Sequence, residues 1–360
     1  MTVWERLARK AVLRERAGLA RVPRPRTAAI DLAGNDYLGL SGHPRVTAAA
    51  AAALEEHGLG SGGSRLVRGT TGLHESFEAA IARHLGAETA TLYSSGYLAN
   101  LAALAALPGP VLLDAHVHAS LHDAAAPAHT FAHNDLDDLE RALTALRPAL
   151  VAVESVYSVL GDAAPLRPIH ALASAHGALL VIDEAHALGT IGPAGGGGAA
   201  AAGLSGDPGV VVTATLSKAL GAAGGVIAGP AELRRHLTDT SRPFIYDTAP
   251  APAIVAGAGA ALALAREADG ARAELARRAA LAAAELDVPP PAAGVLSPPA
   301  GDARAAAAWA ARCAERGVAV GCFRPPSTPD HRSRLRITVN TGVEAVDFAK
   351  ALRIVGEERP

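Results

Sequence analysis

The sequence predicts an α/β fold, with a mostly parallel, doubly wound sheet in a large domain and a smaller α+β domain at the C-terminus. Between about residues 41 and 240, short runs of Val, Ile and Leu alternate with alanine-rich segments of helical spacing. Strands that alternate with helices are typical of βαβ units and a parallel sheet. After residue 240 this alternation stops. The apolar runs are Val111–Leu113, Leu150–Val153, Leu179–Ile182 and Val210–Thr213.

The two ends of the chain differ from this pattern. A charged amphipathic helix is predicted over 3–20, and a short strand follows at Ala28–Leu32. We therefore divide the chain into an N-terminal segment (1–40), a large α/β domain (41–240) and a small α+β domain (241–360). The elements predicted in the small domain are a long alanine-rich helix, a helix over 302–316 and strands at Val318–Phe323 and Leu335–Val339.

The bulk composition excludes several classes of protein. Half of the 360 residues are hydrophobic but only 3% are aromatic, so a large core must be built mainly from Ala, Leu and Val. The net charge of −2 gives no general attraction to nucleic acid or to an acidic membrane. The longest apolar stretch, Ala249–Ala265, is short for a bilayer span, and the N-terminus lacks the apolar core of a signal peptide. We therefore expect a soluble, cytoplasmic protein that binds neither nucleic acid nor membranes.

A carboxylate and a lysine follow two of the predicted strands. Asp183 and Lys218 each stand after an apolar run, and ligands of open α/β sheets bind at the carboxyl ends of the strands. A lysine between an apolar strand and the run Gly221–Gly225 is desolvated, which lowers its pKa and makes it a nucleophile for Schiff-base chemistry. A carboxylate against a pyridine nitrogen keeps that nitrogen protonated, so that the ring withdraws electrons. The pair predicts a pyridoxal-phosphate site.

Each of these two residues alone has a simpler interpretation. Asp183 alone would be a helix cap at the end of a strand, and Lys218 alone would be an interior lysine paired with an acid. The two together, beside the hydroxyl groups of Thr215 and Ser217, favour the cofactor site over both simpler interpretations.

A phosphate site is predicted where a helix begins after a short strand. The backbone N–H groups of Gly96 and Tyr97 are free at this helix start, and the helix dipole adds to their attraction for an anion. Thr215 is expected as a second phosphate contact. Ser95 taken alone would be an ordinary N-cap. The glycine-rich run Gly60–Arg65 is a weaker candidate for anion binding.

Histidines are the third group of candidate site residues. His116, His118 and His122 lie close together, but 116 and 118 have the spacing of alternate strand residues and no cysteine accompanies them. A zinc site is therefore disfavoured, and no metal is predicted. Stacking of one histidine on a flat aromatic cofactor is more economical. His186 is expected near the phenolic oxygen of the cofactor, with a histidine at a helix start as the alternative.

These residues belong to motifs that extend over nearly the whole chain. The motifs are Asn35–Leu40, Gly60–Ser64, Ser95–Tyr97, His118–Leu121, Phe131–Asp135, Glu154–Ser158, Asp183–His186, Thr215–Lys218 and Arg324–Arg336. With these motifs in order, the sequence resembles the α-oxoamine synthases, which are fold-type I pyridoxal-phosphate enzymes. Within that family, the stretch Phe323–Pro329 favours the member that condenses L-alanine with a pimeloyl thioester of CoA or acyl carrier protein in biotin biosynthesis.

The resemblance implies pyridoxal 5′-phosphate as cofactor and a role for each matching residue. Lys218 matches the Schiff-base lysine and general acid/base. His118 matches the histidine that stacks on the ring and helps to polarise the acyl carbonyl, and Asp183 matches the partner of the pyridine nitrogen. These three are the implied catalytic residues. The other implied cofactor contacts are Ser158 and His186 near the phenolic oxygen, and Gly96, Tyr97 and Thr215 at the phosphate.

The resemblance also implies residues that bind the substrates. Arg336 matches the arginine that binds the amino-acid carboxylate with both arms of its guanidinium group, supported by Asn35. Glu154 matches an acid of the active site. Arg21 matches an arginine near the acyl thioester and is assigned to substrate binding together with Ser327. In this family the active site lies between two subunits, so a homodimer with shared active sites is implied.

Two segments depart from the family pattern, and three alternatives stay open. Gly195–Gly198 is interpreted as a flexible loop where relatives carry a charged residue, and the segment 285–300 is short and rich in proline. The alternatives are a related synthase that joins glycine or serine to another acyl-CoA, a pyridoxal-phosphate aminotransferase, and a non-catalytic subunit of the same fold. The presence of Lys218, Asp183 and Arg336 together argues against the last.

Overall fold

A computed structural model describes residues 1–23, 25–26, 29–125, 127–147 and 150–360 of the chain. The strands are β1 (Ile30–Leu32), β2 (Thr89–Tyr93), β3 (Val111–Asp114), β4 (His129–Phe131), β5 (Leu150–Glu154), β6 (Leu179–Asp183), β7 (Val210–Thr215), β8 (Gly225–Gly229), β9 (Val295–Leu296), β10 (Val318–Phe323) and β11 (Arg334–Thr338). The helices are α1 (Val3–Arg16), α2 (Pro44–His57), α3 (Gly72–Leu85), α4 (Gly96–Ala106), α5 (Ala119–Ala124), α6 (Leu136–Ala145), α7 (Leu166–Ala175), α8 (Gly197–Ala201), α9 (Ala231–Thr240), α10 (Arg242–Tyr246), α11 (Pro252–Arg266), α12 (Asp269–Glu285), α13 (Ala303–Glu315) and α14 (Ala345–Glu357).

The larger sheet has seven strands in the order β2-β8-β7-β6-β5-β3-β4. All neighbours from β7 to β4 run parallel, whereas β8 runs antiparallel to both β2 and β7. Strands β5, β6 and β7 are almost entirely buried, because a parallel sheet is covered by helices on both faces. The predicted α/β fold with a mostly parallel, doubly wound sheet is confirmed.

The register of this sheet aligns polar residues at one edge. Glu154, the last residue of β5, lies opposite Asp183, the last residue of β6. Asp183 in turn lies opposite Thr213, two residues before β7 ends at Thr215. Since parallel strands end at the same edge of a sheet, these carboxylate and hydroxyl groups meet there. Lys218 follows directly after β7 and reaches the same edge.

The smaller sheet has four strands in the order β1-β10-β11-β9. Strand β1 runs parallel to β10, and the other two pairs are antiparallel. A strand from the first 40 residues therefore shares a sheet with strands near the C-terminus. This pairing brings the turn after β1 next to β11, which carries Arg336. The division of the chain at residues 40 and 240 stays a prediction.

The interpretation of Gly195–Gly198 as a flexible loop was wrong. These four glycines are buried, and α8 begins among them at Gly197. The carboxylate of Glu184 accepts hydrogen bonds from the backbone N–H groups of Gly198 (2.8 Å) and Ala199 (2.6 Å). Gly197 has φ +91°, and a Cβ there would lie 2.5 Å from a Glu184 oxygen. The glycines are needed because the backbone approaches a buried carboxylate.

Other boundaries differ from the prediction for local reasons. The predicted helix over 3–20 ends at Arg16, and residue 28 of the predicted strand lies outside the described residues. The single long alanine-rich helix is wrong: the segment forms α11 and α12. Arg272 of α12 donates hydrogen bonds to the carbonyl oxygens of Ala265 (2.5 Å) and Arg266 (3.4 Å) and so satisfies groups at the end of α11. Strand β8 was not predicted, because glycine at both of its ends obscures the apolar pattern.

A half-buried ionic cluster, in which only Asp114 is fully buried, joins β3 to the loop after β5. Nδ1 of His133 lies 2.8 Å from Oδ1 of Asp114, and Nε2 lies 2.8 Å from Oδ2 of Asp162. The His116 ring stacks on the His133 ring with 3.8 Å between ring centres. The Tyr157 ring contacts the His133 ring edge-on, with 4.5 Å between ring centres. Burial by itself lowers the pKa of His133, but the hydrogen bonds and charges of the two carboxylates outweigh it and raise the pKa to about 9.

The first prediction is that this cluster loses stability in alkaline solution. A histidine pKa raised from 6.5 to about 9 contributes stability that is full below 6.5 and is lost as the pH rises through about 9. We expect the free energy of unfolding to fall by about 1–2 kcal/mol more between pH 7 and 9.5 in the parent than in His133→Gln, after allowance for solvent screening. Urea unfolding at both pH values measures this difference. His129→Gln, on the exposed part of β4, is the control, and an identical pH dependence of His133→Gln and parent would contradict the prediction.

Candidate active site

A cavity of about 310 Å³ lies at the polar edge of the larger sheet. It is lined by strand ends of β5, β6 and β7 and by the first turn of α4. The structure therefore brings most of the predicted site residues together. The predicted residues that line this cavity are Gly96, Tyr97, His118, Glu154, Ser158, Asp183, His186, Thr215 and Lys218.

The amine of Lys218 is linked to a chain of two aromatic residues. Its Nζ lies 2.9 Å from Nε2 of His186, and Nδ1 of His186 lies 2.5 Å from the hydroxyl group of Tyr37. Burial is the largest cause, and the charge of Lys218 the second, of a His186 pKa that lies well below its usual value. This ring is therefore neutral. Burial also lowers the pKa of Lys218 to about 8, against the opposing charges of Asp183 and Glu154. A useful fraction of the amine is therefore uncharged near neutral pH.

Asp183 is held as a hydrogen-bond acceptor at the end of β6. Its Oδ1 accepts the backbone N–H of Ala185 at 2.9 Å, and its Oδ2 accepts the side-chain amide of Asn100 at 2.7 Å. Asp183 is 4% exposed, so water screens its carboxylate little and the interaction of the carboxylate with a neighbouring polar group is strong. This arrangement can keep a heteroaromatic N–H protonated opposite it.

Glu154 is buried beside Asp183, at the end of the neighbouring strand β5. Its Oε2 accepts the backbone N–H of Ser158 at 3.0 Å, whereas its Oε1 is buried without a hydrogen-bond partner in the part of the chain that the structure describes. Burial, and next the charge of Asp183, raises the pKa of Glu154 to about 8. Glu154 therefore holds a proton more readily than an ordinary glutamate does, and it can exchange that proton with a group in the cavity.

His118 is the N-cap of α5 and not a residue of a strand, so the strand spacing assumed for His116 and His118 was wrong. Strand β3 ends at Asp114, and the chain turns before His118 enters the cavity. Its Nδ1 lies 2.8 Å from the hydroxyl group of Ser120. Burial, partly opposed by the charge of Asp183, lowers the pKa of His118.

The start of α4 and the end of β7 form a polar cup on one side of the cavity. Ser95 caps the helix by accepting the N–H of Leu98 at 3.1 Å, which leaves the N–H groups of Gly96 and Tyr97 without intrahelical partners. A Cβ on Gly96 would lie 2.8 Å from Cβ of Thr215, so only glycine allows the helix start to approach β7 this closely. Hydroxyl and N–H groups thus converge on a site suited to a phosphate.

Arg336 and Asn35 do not line this cavity, but the charge of Arg336, which is 7% exposed, acts on Lys218 and His186. One arm of its guanidinium group donates to Oδ1 of Asn35, and the group lies 5.2 Å from the centre of the Phe323 ring. Its Nε is buried without a hydrogen-bond partner among the residues that the structure covers. Its charge contributes to the lowered pKa values of Lys218 and His186. An incoming carboxylate would satisfy this buried donor.

Two predicted substrate residues lie in a different cavity. Arg21 donates to the hydroxyl group of Ser327 at 2.7 Å, and both line a cavity of about 790 Å³ between the N-terminal segment, α13 and β10. The structure therefore does not bring Arg21 and Ser327 into contact with the Lys218 cavity.

The glycine-rich run Gly60–Arg65 was a weaker candidate for anion binding. Its last residue, Arg65, forms an ion pair with the buried Glu78 at 2.8 Å, so this arginine has a structural role.

Three residues of the site were missed by sequence reasoning. Tyr37 contacts His186, Asn100 contacts Asp183, and Ser120 contacts His118. Each residue lies inside or close to one of the sequence motifs named above. Membership of these motifs is the signal by which they could have been identified. Their partners are distant in sequence in two of the three cases, so the contacts themselves are tertiary.

Two further features concern metals and membranes. Within the described ranges, no group of three or more His, Cys, Asp or Glu side chains is arranged to hold a metal ion. No helix in the described part of the chain has the length and apolar character needed to cross a membrane.

The chain is similar to known proteins over nearly its whole length. The model of the family described as aminotransferase class I and II matches residues 27–355. The 8-amino-7-oxononanoate synthase of Mycobacterium sp. (strain JLS) is 49% identical over 358 residues, which cover 96% of this chain and 94% of that protein.

Solved structures are similar as well. Serine palmitoyltransferase from S. paucimobilis with a bound PLP–myriocin aldimine has a TM-score of 0.91 at 28% identity and covers 99% of this chain and 98% of its own. The 8-amino-7-oxononanoate synthase from Francisella tularensis shares the fold, with a TM-score of 0.79 at 24% identity over 92% of this chain and 98% of its own. From the match to the family model and the 49% identity, the chain belongs to the aminotransferase class I and II family and is similar within it to 8-amino-7-oxononanoate synthases.

Proposed function

We propose that this chain is a pyridoxal-phosphate-dependent acyltransferase that condenses L-alanine with a pimeloyl thioester, with loss of CO₂, to 8-amino-7-oxononanoate, a step of biotin biosynthesis. The observation that carries the proposal is the convergence of an amine, a strand-end carboxylate and a helix N-terminus on one cavity, at Lys218, Asp183 and Gly96. The identity to a synthase of that name supports the choice of substrates.

The residues of the cavity fit pyridoxal phosphate. Lys218 offers an amine with a lowered pKa for a Schiff base with the aldehyde, and Asp183 offers a carboxylate for the pyridine nitrogen. The helix start at Gly96, together with Thr215, offers N–H and hydroxyl groups for the phosphate. When bound there, pyridoxal phosphate supplies a protonated ring that stabilises negative charge at the alanine Cα.

Different residues of the chain are assigned to the individual steps of the reaction. Arg336 binds the carboxylate of alanine and fixes the orientation of its Cα. The Lys218 amine, which is free once alanine is bound, takes the Cα proton at Nζ. A bond then forms between Cα and the acyl carbon, and the bond between the acyl carbon and sulfur breaks as the thiolate leaves. His118, which lines the same cavity, is assigned as the donor that stabilises charge on the acyl oxygen, and Glu154, whose pKa is raised, is assigned as a second proton source. The original carboxylate departs as CO₂, and a proton returns to Cα.

The proposal includes features that the family resemblance implies. These are a homodimer with shared active sites, a cytoplasmic location, and an acyl carrier that is either CoA or acyl carrier protein. Ser158 and His186 are assigned to the phenolic oxygen of the cofactor, Tyr97 to its phosphate and Asn35 to the alanine carboxylate through Arg336. Arg21 and Ser327 are assigned to a distal part of the acyl substrate, since they line a separate cavity.

The second prediction tests the amino acid and the acyl group together. We expect the purified enzyme with added pyridoxal phosphate to release thiol from pimeloyl-CoA or pimeloyl-acyl carrier protein with L-alanine, at least about tenfold faster than with glycine or L-serine. Mass spectrometry should identify 8-amino-7-oxononanoate. Palmitoyl-CoA with L-serine is the matched comparison, because serine palmitoyltransferase has a similar structure. Faster thiol release from that pair, or amino-group transfer to an oxo acid without thiol release, would contradict the proposed substrates.

A further inference from the structure

The side chain of Asn100 lies between two residues of the proposed catalytic set. It is 3% exposed, in the first turns of α4. Its Nδ2 lies 2.7 Å from Oδ2 of Asp183 and 2.9 Å from Oγ of Ser120, and its Oδ1 lies 2.6 Å from Oγ1 of Thr213. Ser120 in turn lies 2.8 Å from Nδ1 of His118. Four separate elements, α4, α5, β6 and β7, therefore converge on this single amide.

The directions of these hydrogen bonds follow from Asp183. Its carboxylate accepts the N–H of Ala185, and a carboxylate has no proton to give, so the amide nitrogen of Asn100 must face it. The orientation of the amide is thereby fixed, with its oxygen toward the hydroxyl group of Thr213. The second amide proton of Asn100 is donated to the hydroxyl oxygen of Ser120.

The tautomer of His118 follows from the same chain of bonds. Because the Ser120 oxygen already accepts from Asn100, the Ser120 hydroxyl proton is free to point to Nδ1 of His118. The backbone N–H of Ser120 donates to the same Nδ1 at 3.3 Å. A ring nitrogen that accepts two donors carries no proton, so the proton of the neutral ring is on Nε2. In the described residues, Nε2 has no hydrogen-bond partner in the protein.

We propose that Asn100 is a positioning residue that, through Ser120, holds His118 as its Nε2–H tautomer and, directly, fixes the orientation of the Asp183 carboxylate. This inference rests on the proposed function and deepens it, because it assigns which nitrogen of His118 is the donor available in the cavity. A neutral N–H in a fixed tautomer stabilises negative charge on an oxygen without any rearrangement during the reaction. The side-chain amide of Asn100 thus fixes both the tautomer of His118 and the orientation of Asp183.

Two variants separate the arms of this chain. Ser120→Ala removes the hydroxyl donor to His118 and leaves the bond from Asn100 to Asp183 intact. Asn100→Asp removes both arms, because a carboxylate repels Asp183 and accepts the Ser120 hydroxyl proton that His118 had received. Ser297→Ala is the matched control: it also removes a buried hydroxyl group, which contacts the backbone of Val159 and no member of this network.

The test is ¹⁵N NMR of the imidazole rings in the cofactor-loaded enzyme labelled at histidine, with His118→Phe to assign the His118 signals. We expect the parent and Ser297→Ala to show His118 only as the Nε2–H tautomer, and Ser120→Ala to show a mixture of tautomers. Turnover should fall about tenfold or more in Ser120→Ala, with the dissociation constant of pyridoxal phosphate within about threefold of the parent. Asn100→Asp should lose the tautomer and also weaken cofactor binding by about tenfold or more.

An Nδ1–H tautomer or a charged His118 in the parent would overturn the proposal. So would an unchanged tautomer in both Ser120→Ala and Asn100→Asp, since these variants remove the donors that are proposed to set it. Failure of the proposed function has a different result. A parent that keeps the Nε2–H tautomer, and variants that lose it, would support the role of Asn100 even if the enzyme released no thiol from pimeloyl thioesters.

Discussion

Replacing Lys218 by Ala is expected to lower turnover by about four orders of magnitude or more. The residue is proposed both to bind the cofactor covalently and to move the Cα proton, and acid–base groups alone contribute about 10²–10⁴ in rate. The lowered pKa of about 8 makes Lys218 an amine that reacts near neutral pH, because burial removes water from its charged form. Steady-state thiol release with L-alanine and pimeloyl-CoA measures the loss.

The chain is well suited to this test because it contains three lysines, Lys10, Lys218 and Lys350. Lys10 and Lys350 are exposed, so Lys350→Ala is a matched control that should keep full turnover. Borohydride reduction of the cofactor-loaded parent followed by peptide mapping should place the pyridoxyl group on Lys218 only. A label on another lysine, or a Lys218→Ala enzyme that retains more than about a tenth of the parent rate, would refute the assignment.

The pH dependence of cofactor attachment follows from the same lowered pKa. The fraction of uncharged amine at Lys218 increases with pH and changes little above about 9, one unit above its pKa of about 8. The rate at which the apoenzyme binds pyridoxal phosphate should therefore rise from pH 6.5 to about 9 and then level off. An amine with an ordinary lysine pKa would instead give a rate that still increases above pH 9.

Replacing Arg336 by Ala is expected to weaken alanine binding about a hundredfold and to change cofactor affinity less than threefold. Each hydrogen bond to a charged group contributes about 1.5–3 kcal/mol, and the guanidinium group can form two with a carboxylate. Among the residues that the structure describes, the Arg336 Nε is buried without a partner, so a carboxylate that binds there would meet a donor that is already desolvated. Titration of the visible spectrum of the loaded enzyme with L-alanine gives the dissociation constant.

Two variants sharpen the Arg336 experiment. Arg336→Lys keeps the charge but loses the planar fork, so it should recover only part of the alanine affinity. Arg334→Ala removes an arginine of the same strand that pairs with Asp330, and it should leave alanine affinity near that of the parent. If Arg336→Ala bound alanine as tightly as the parent does, another cation would have to bind the carboxylate.

Much of the fold and part of the site were predictable from local patterns. The apolar runs of β3, β5, β6 and β7 are continuous because both faces of a parallel sheet are buried. Residues that follow such runs reach the same edge, and this pattern alone predicts that Asp183, Thr215 and Lys218 surround one cavity, as they do. Strand β8 was not predictable in this way, because glycine at both of its ends obscures the apolar run and its pairing with β2 joins distant segments.

The sequence by itself determined the α/β fold and the identity of the reactive groups, because hydrophobic period and residue chemistry are local properties. Only the tertiary structure decided how most of those groups are charged and oriented. The bond between Asn100 and Asp183 joins residues 83 positions apart, and the proximity of Tyr37 to His186 joins residues 149 positions apart. The Gly195–Gly198 run is likewise buried through a tertiary contact, in which its backbone packs against the carboxylate of Glu184. The lowered pKa of Lys218 was predictable from the apolar and glycine runs on either side of it, but the other hydrogen-bond partners and pKa values arise from distant segments packed together.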